Sequence, residues 1–171
     1  ACAALRSPNR SGSRSSPIGW RTSVSEHYFS ADPSSPQRHQ PVSARIWGHD
    51  LELVSSSGVF AAGRLDIGTA VLLREQRPSA TGGALLDLGC GYGVIGLAIA
   101  RGVPLATVTA VDVNERALLL ANENARALGV EGRFVACRPD EVPGDATYEE
   151  IWSNPPIRIG KPALHDLLLK W

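Results

Sequence analysis

The sequence predicts an α/β protein whose core is a parallel β-sheet. Short apolar strands alternate with helix-like segments over residues 84–171, which is the pattern of βαβ units with right-handed crossovers. A run of closely spaced glycines, LGCGYG (88–93), separates the first of these strands from its helix. Polar side chains directly follow several strands, and parallel sheets bind ligands at the carboxyl ends of their strands. We therefore expect one ligand site at that edge of the sheet.

A different pattern precedes this alternation. VSARIW (42–47) and LELVSS (51–56) flank Gly48-His49-Asp50 and predict a β-hairpin. The following segment, GVFAAGRLDIGTAVLLREQ (58–76), begins as a loop and becomes helical near Ile67. PSATGG (78–83) then has the composition of a turn that leads into the sheet.

The strands and helices of the alternating part follow from their apolar patterns. Four strands are predicted: ALLDL (84–88), ATVTAVDV (106–113), RFVAC (133–137) and YEEIWS (148–153). Three helices are predicted: VIGLAIARG (94–102), NERALLLANENARALG (114–129) and PALHDLLLKW (162–171). Asn114 can cap the start of the middle helix and Gly129 its end, and Pro162 suits a first helical position.

Composition excludes several classes of protein. With 171 residues, 43% hydrophobic and 20% charged, the chain suits one globular domain. No apolar stretch is long enough to span a bilayer and no segment has the apolar centre of a signal peptide, so the expected location is cytoplasmic. The three cysteines, Cys2, Cys90 and Cys137, fit buried thiols rather than a disulfide framework or a metal site.

Charge is unevenly distributed although the formal net charge is zero. Residues 1–40 carry five arginines against Glu26 and Asp32. We expect residues 1–25 to be a flexible basic arm, which either contacts a nucleic acid backbone or is simply solvated. The chain has no methionine and stops at Trp171 inside an apolar helical pattern, so the sequence reads as a fragment lacking its C-terminus.

The glycine turn has the geometry to hold an anionic or extended ligand. Its glycines permit positive φ and close approach of a ligand to the backbone. Asp112 ends the next strand, where a carboxylate can take both hydroxyls of a ribose, and Asp140 follows the third. Each carboxylate has a simpler interpretation, because Asp112 could cap a helix and Asp140 could lie in a solvated turn.

Asn154-Pro155-Pro156 follows the fourth strand. Proline has a fixed φ and no N–H, so two prolines stiffen the backbone beside one short amide side chain. This rigidity suits a site that must hold a flat polar group in one orientation. The alternative is an ordinary turn that ends a strand.

Taken together, these motifs resemble the class I S-adenosylmethionine-dependent methyltransferases, which have a Rossmann-like fold. DLGCGYG, Asp112, Asp140 and NPPI carry the resemblance to the class. HYFS (27–30), GVFAAGRLDIGT (58–69), DLGCGYGVIG (87–96) and SNPPIRIGK (153–161) are similar to the group that methylates the exocyclic 2-amine of guanine in small-subunit ribosomal RNA. The resemblance covers residues 27–171 and implies a methyltransferase domain over 26–171.

The resemblance also implies the site. Its acceptor residues are Asn154, Pro155, Pro156 and Ile157, with the Asn154 oxygen and the Pro155 carbonyl each accepting one N–H of the target amine. Its S-adenosyl-L-methionine site comprises Asp66, Gly68, Thr69, Asp87, Gly89, Cys90, Gly91, Gly93, Asp112, Val113, Asp140 and Asn154. Within it, Asp87 would orient the ammonium of the cofactor, Asp112 its ribose and Asp140 its adenine.

The chain departs from the pattern of this group in three places. Ala61 stands where the group has serine, and Ile157 replaces the Tyr or Phe that many amino-methyltransferases carry. The seven-stranded sheet of the class would need three further strands after Trp171. For RNA, Arg158, Lys161 and the basic arm could contact phosphates, although exposed cations are often only solvated.

Other functions stay open on the sequence. A protein methyltransferase that modifies a glutamine amide in a translation release factor shares the Asn-Pro-Pro motif, and transfer RNA guanine is a further candidate substrate. A fragment that binds the cofactor without catalysis is another alternative. The G-x-G-x-G spacing disfavours a dehydrogenase, whose fingerprint is G-x-G-x-x-G.

Overall fold

The computed structural model describes residues 38–59, 63–154 and 171. These residues form six strands and three helices. In chain order they are β1 (His39–Ile46), β2 (His49–Ser56), α1 (Ile67–Glu75), β3 (Gly83–Leu88), α2 (Val94–Gly102), β4 (Ala106–Val111), α3 (Glu115–Ala127), β5 (Phe134–Cys137) and β6 (Glu150–Ser153). The arm and HYFS at the N-terminal side lie outside the described residues, as does the helix predicted over 162–171 apart from its last residue, Trp171.

Four of the strands form the predicted parallel sheet. Their spatial order is β5-β4-β3-β6, and every neighbouring pair is parallel. Since parallel strands end at the same edge, the residues that follow β3, β4 and β6 lie side by side there. These residues begin the glycine turn, the Asp112 segment and the Asn154 segment. The predicted strands and their order along the chain are thus confirmed.

The predicted hairpin is confirmed, but its turn is shifted by one residue. β1 and β2 pair antiparallel with Ile46 opposite His49, so the turn consists of Trp47 and Gly48 rather than Gly48-His49-Asp50. Both turn residues have positive φ, 50° and 90°, as the type I′ turn of a tight hairpin requires. Two contacts hold Trp47 in this unusual backbone conformation. Its indole Nε1–H donates to the Leu73 carbonyl at 2.7 Å, and its ring packs edge-on against Trp152.

The sheet separates two apolar clusters. On one face, Leu85, Val108 and Phe134 pack with buried residues of the hairpin and of all three helices. On the other, Leu86, Leu88, Val111 and Cys137 form a smaller cluster that Val142, Tyr148 and Trp171 cover in part. Because side chains of a strand alternate between faces, the same residue run in β3 supplies both clusters.

Side-chain amides of α3 bind the hairpin to the sheet. Asn124 is 2% exposed; its Oδ1 accepts from the Val54 N–H at 2.8 Å and its Nδ2 donates to the Val54 carbonyl at 2.9 Å. The same Nδ2 donates to the Tyr92 carbonyl in the glycine turn at 3.0 Å. Asn114 caps α3 as predicted, accepting from the N–H groups of Arg116 and Ala117, and its Nδ2 donates to the Gly58 carbonyl.

Candidate active site

The glycine turn connects β3 to α2 and leaves open space beside two of its glycines. The N–H groups of Gly89 and Cys90 both donate to the Val111 carbonyl, at 2.8 and 3.0 Å, which holds the turn against the end of β4. Gly89 and Gly91 have positive φ, 76° and 55°. A Cβ added at either residue would meet nothing within 4 Å. The turn therefore presents bare backbone to a space that another molecule can enter.

Asp87 lies directly beneath this turn and is completely buried. Its Oδ2 accepts from the Gly96 N–H of α2 at 2.8 Å. Its Oδ1 has no hydrogen-bond partner within the described part of the chain. Burial raises the pKa of Asp87 to about 7; the Gly96 N–H lowers it and the nearby Asp112 raises it further. A buried carboxylate oxygen without a partner is costly unless a donor or a cation reaches it.

Asp112 joins the glycine turn to the start of α3. Its Oδ2 accepts from the Gly91 N–H at 2.9 Å and its Oδ1 accepts from the Asn114 N–H at 2.9 Å. Burial raises the pKa of Asp112, and backbone N–H groups of Asn114, Gly91 and Val113 offset part of that effect. Asp112 is thus held in one orientation at the mouth of the turn, with the half-exposed Val113 beside it. Asn114, and not Asp112, is the side chain that caps α3.

Asp140 stands apart from the buried carboxylates. It follows β5, and its side chain is 71% exposed. Its Oδ1 accepts from Arg138 Nε at 3.1 Å, and the same arginine reaches Glu115 at 3.2 Å. The structure therefore places Asp140 at the surface in an ion-pair network, where any adenine contact would compete with Arg138.

Cys90 is buried within the turn, and its thiol donates to the Gly91 carbonyl at 3.5 Å. Burial raises the pKa of Cys90 well above its ordinary value, and the Asp112 and Asp87 charges raise it further. The thiol is therefore protonated at neutral pH and packs as an apolar group. This is the packing role that the sequence favours.

Asn154 follows β6 and is the described residue of the predicted acceptor motif. The register pairs Leu88 with Ser153, and the Ser153 hydroxyl donates to the Leu88 carbonyl at 2.8 Å. Gly89 and Asn154, the next residues of the two strands, therefore lie at the same edge. Pro155, Pro156, Ile157, Arg158 and Lys161 lie outside the described residues.

Asp66 and Thr69 meet Asn154. Asn154 Nδ2 donates to Asp66 Oδ2 at 2.8 Å and to Thr69 Oγ1 at 2.9 Å. Asp66 Oδ2 also accepts from the Thr69 N–H at 3.1 Å and so caps α1. A Cβ at Gly68 would lie 2.8 Å from Asn154 Oδ1. The resemblance implies that Asp66, Gly68 and Thr69 line the cofactor site; in the structure all three lie against the side-chain amide of Asn154.

Neither the helix-capping role of Asp66 nor the contact that Tyr92 makes was predicted from the sequence. Asp66 at the residue before α1, three before Thr69, is the spacing of a helix N-cap, and that signal was present in LDIGT. Tyr92 is 3% exposed and its hydroxyl donates to the Arg64 carbonyl at 3.1 Å. That bond ties the glycine turn to the segment that carries Asp66, and no local sequence pattern indicates it. Burial, followed by the Asp66 charge, raises the pKa of Tyr92 to about 12, so its hydroxyl keeps its proton.

Among the described residues, no group of three or more His, Cys, Asp or Glu side chains has the arrangement of a metal site. No helix among these residues is long and apolar enough to cross a membrane.

Comparison with known proteins identifies relatives of this chain. Residues 50–170 match the family described as Methyltransferase small domain. An uncharacterized Bacillus subtilis protein, YbxB, is 38% identical over 149 residues, which are 86% of this chain and 74% of that protein. Ribosomal RNA small subunit methyltransferase C of Pseudomonas aeruginosa is 38% identical over 132 residues, which are 75% of this chain but 39% of that enzyme.

A solved structure has the same fold. It is the T. thermophilus 16S rRNA N2 G1207 methyltransferase (RsmC) in complex with AdoMet and guanosine, with a TM-score of 0.64 and 29% sequence identity. The match covers 75% of this chain and 36% of that one. The chain thus spans about three quarters of YbxB, and roughly two fifths or less of the two ribosomal RNA methyltransferases compared above.

Proposed function

The chain belongs to the methyltransferase small domain family, and from that premise we propose that it transfers a methyl group from S-adenosylmethionine to the exocyclic 2-amine of a guanine in small-subunit ribosomal RNA. One observation carries the proposal. Asn154 lies at the sheet edge next to the glycine turn. Its side-chain nitrogen donates to Asp66 and Thr69, and its side-chain oxygen takes part in neither contact. Methyl transfer to an amine needs an acceptor for the amine in that position.

The residues of the glycine turn fit the cofactor that the family uses. The open space over Gly89 and Gly91 admits close approach of an extended molecule to the backbone. The unpartnered Asp87 Oδ1 lies beneath the turn and suits the ammonium of an amino acid moiety. Asp112 holds its carboxylate at the mouth of the turn, where its remaining lone pairs would accept from ribose hydroxyls. Asp140 would take the adenine amine only by sharing its carboxylate with Arg138.

S-adenosylmethionine, when bound, supplies a methyl group on a cationic sulfonium. The chain has to align the nucleophile, and alignment accounts for much of the rate. The lone pair of an exocyclic amine is delocalised into the ring. Asn154 Oδ1, with the Pro155 carbonyl as a second acceptor, would take the two N–H groups and direct the lone pair out of the ring plane. The same acceptors stabilise the positive charge that develops on the nitrogen.

The proposed substrate rests on the relatives and on charge. The P. aeruginosa and T. thermophilus proteins are ribosomal RNA methyltransferases by name, and the second was solved with guanosine. Arg158, Lys161 and the basic arm would contact phosphates. A paired guanine must first leave its helix, at a cost of a few kcal/mol, so an unpaired or flipped base is the form that Asn154 would meet.

A competition experiment tests the proposal. Full-length protein is mixed with labelled S-adenosylmethionine, small-subunit ribosomal RNA, transfer RNA and a translation release factor, and each product is digested and analysed. Label in 2-methylguanosine from ribosomal RNA supports the proposal. Label in transfer RNA, label in methylglutamine, or no transfer to any of the three would overturn it.

A further inference from the structure

We propose that Asp66 and Thr69 are positioning residues that hold the side-chain amide of Asn154 in one of its two orientations, with Oδ1 presented to the amine that is methylated. The inference rests on the proposed function, since it assigns the origin of the acceptor used there. It changes the role of two residues that the sequence had assigned to the cofactor.

The hydrogen bonds define the orientation. An ionised carboxylate only accepts hydrogen bonds, so the Asn154 atom that lies 2.8 Å from Asp66 Oδ2 is the NH₂ nitrogen. The second hydrogen of that nitrogen is directed to Thr69 Oγ1 at 2.9 Å. Both donors of the amide are thereby used within the protein. The carbonyl oxygen is the polar group of Asn154 that stays available for a substrate donor.

Orientation matters because an asparagine amide has two ends of similar shape and opposite polarity. If the amide rotated by half a turn, its NH₂ would face the N–H groups of the target amine, and two donors would oppose each other. One flip would therefore convert the acceptor into a group that repels the substrate. Asp66 makes that flip unfavourable, because it would bring the amide oxygen against a carboxylate oxygen.

The surroundings make the arrangement rigid. Thr69 is 7% exposed, and the Tyr92 hydroxyl fixes the Arg64 carbonyl two residues before Asp66. Gly68 leaves the space that the amide oxygen occupies, since a Cβ there would lie 2.8 Å from Oδ1 and 3.0 Å from Asp66 Oδ2. Sterics and hydrogen bonding thus favour the same orientation.

The simpler role for Asp66 is capping of α1, because its Oδ2 also accepts from the Thr69 N–H. Three substitutions separate the two roles. Asp66→Asn keeps an oxygen for both contacts. Asp66→Ser keeps a good cap but is one bond shorter and loses Asn154. Asp66→Ala loses both. A capping role alone predicts that Asp66→Ser behaves like wild type, whereas a positioning role predicts that it behaves like Asp66→Ala in turnover.

We expect kcat to fall about tenfold or more in Asp66→Ser and Asp66→Ala, the factor for losing a hydrogen bond to a charged acceptor, and by less than about threefold in Asp66→Asn. Kd for S-adenosylmethionine should stay unchanged in all three. Thermal stability should fall in Asp66→Ala alone. Asp50→Ser is the matched control, since that side chain is 69% exposed beside the hairpin turn; it should leave kcat unchanged.

A double variant tests whether Asp66 affects kcat through Asn154. Residues that act through one another are non-additive, so Asp66→Ser in an Asn154→Ala background should cause no further loss of kcat. Gly68→Ala provides an independent variant, because its Cβ would lie 2.8 Å from Asn154 Oδ1 and 3.0 Å from Asp66 Oδ2 and must displace them. We expect kcat to fall, and the gain in helix propensity from alanine to be offset by the disturbed contacts. Equal, additive losses in the double variant would overturn the inference.

A readout without catalysis separates this inference from the substrate assignment. The side-chain NH₂ signals of Asn154, assigned by their absence in Asn154→Ala, should exchange slowly in wild type and Asp66→Asn and faster in Asp66→Ser. Equal exchange in Asp66→Ser and wild type would overturn the positioning role even if ribosomal RNA is the substrate. Transfer to another substrate would overturn the proposed function and leave the NMR result to decide the orientation.

Discussion

The glycine-turn half of the site and the Asn154 half differ in how much of their hydrogen-bonding capacity the protein already uses. In the first half, which comprises Asp87, Gly89, Gly91 and Asp112, a buried oxygen has no described partner and two glycines face open space. In the second half, which comprises Asp66, Thr69 and Asn154, both amide hydrogens are engaged. The first half therefore has polar atoms and open space that can gain contacts from a ligand.

In the second half, the side-chain amide of Asn154 is already ordered by hydrogen bonds within the protein. A group that is oriented before the reaction needs no reorganisation when charge develops. On the proposed function, the difference teaches that one site would use unsatisfied polar atoms for binding and an amide whose two hydrogens are already bonded for positioning. Each of the following predictions would either break or sharpen this contrast.

The largest effect is expected for Asn154→Ala. Loss of one preorganised polar contact raises a barrier by about 2–4 kcal/mol, so kcat should fall by roughly 30-fold to 1,000-fold while Kd for S-adenosylmethionine is unchanged. Steady-state kinetics and calorimetry measure the two quantities. Normal kcat with intact cofactor affinity would remove Asn154 from the acceptor role.

The pH dependence of stability tests Asp87. Its pKa is about 7 in the folded protein against an ordinary value of 3.8, so between these values the folded protein holds a proton that the unfolded chain has released. The contribution of Asp87 to the free energy of unfolding should therefore be largest below pH 4 and fall by up to about 1.4 kcal/mol per pH unit towards pH 7. Asp87→Asn should remove this contribution, as urea unfolding at pH 4.5 and 7 would measure. An unchanged pH slope in the variant would show that Asp87 is not the titrating group.

A matched pair of glycines separates backbone strain from ligand contact. Gly89 and Gly129 have φ of 76° and 67°, and a Cβ at either meets nothing within 4 Å. Both alanine substitutions should cost about 1–2 kcal/mol of stability, the strain of a left-handed conformation. Gly89→Ala should in addition weaken cofactor binding by roughly tenfold or more, because its Cβ would enter the space a ligand needs. Equal Kd values in the two variants would mean that the ligand does not approach Gly89.

The smallest effect is expected for Asp140→Ala. The carboxylate is exposed and already paired with Arg138, and exposed pairs contribute little. Cofactor affinity measured by calorimetry should change by less than about threefold. A loss of cofactor affinity as large as that in Gly89→Ala would show that Asp140 contacts the adenine directly.

Local patterns in the sequence predicted most of the fold. Apolar runs bounded by glycine identified β3 and α2, and Asn114 and Gly129 marked the ends of α3, because these signals act over a few residues. The turn at Trp47 was misplaced, since a tryptophan with positive φ is held by contacts to Leu73 and Trp152 that are distant in sequence.

The same limit applies to the site. Asp87 and Gly89 were predicted as site residues because they belong to a recognisable strand–turn–helix pattern, and Asp112 because it ends the next strand. The contact between Asp66 and Asn154 joins residues 88 positions apart, and no local spacing encodes it. The surface pairing of Asp140 with Arg138 depends on how both side chains leave β5, which composition does not determine.

Asn124 has a consequence for behaviour in crowded solution. A strand with free N–H and C=O groups on its outer side is a template on which a second chain can add a strand and start aggregation. The Asn124 amide occupies both groups of Val54, in the place that a peptide unit of an incoming strand would take. At Val54, a single buried side chain of a helix thus occupies the backbone groups that an added strand would need, and an Asn124→Leu variant should leave this position open to intermolecular pairing.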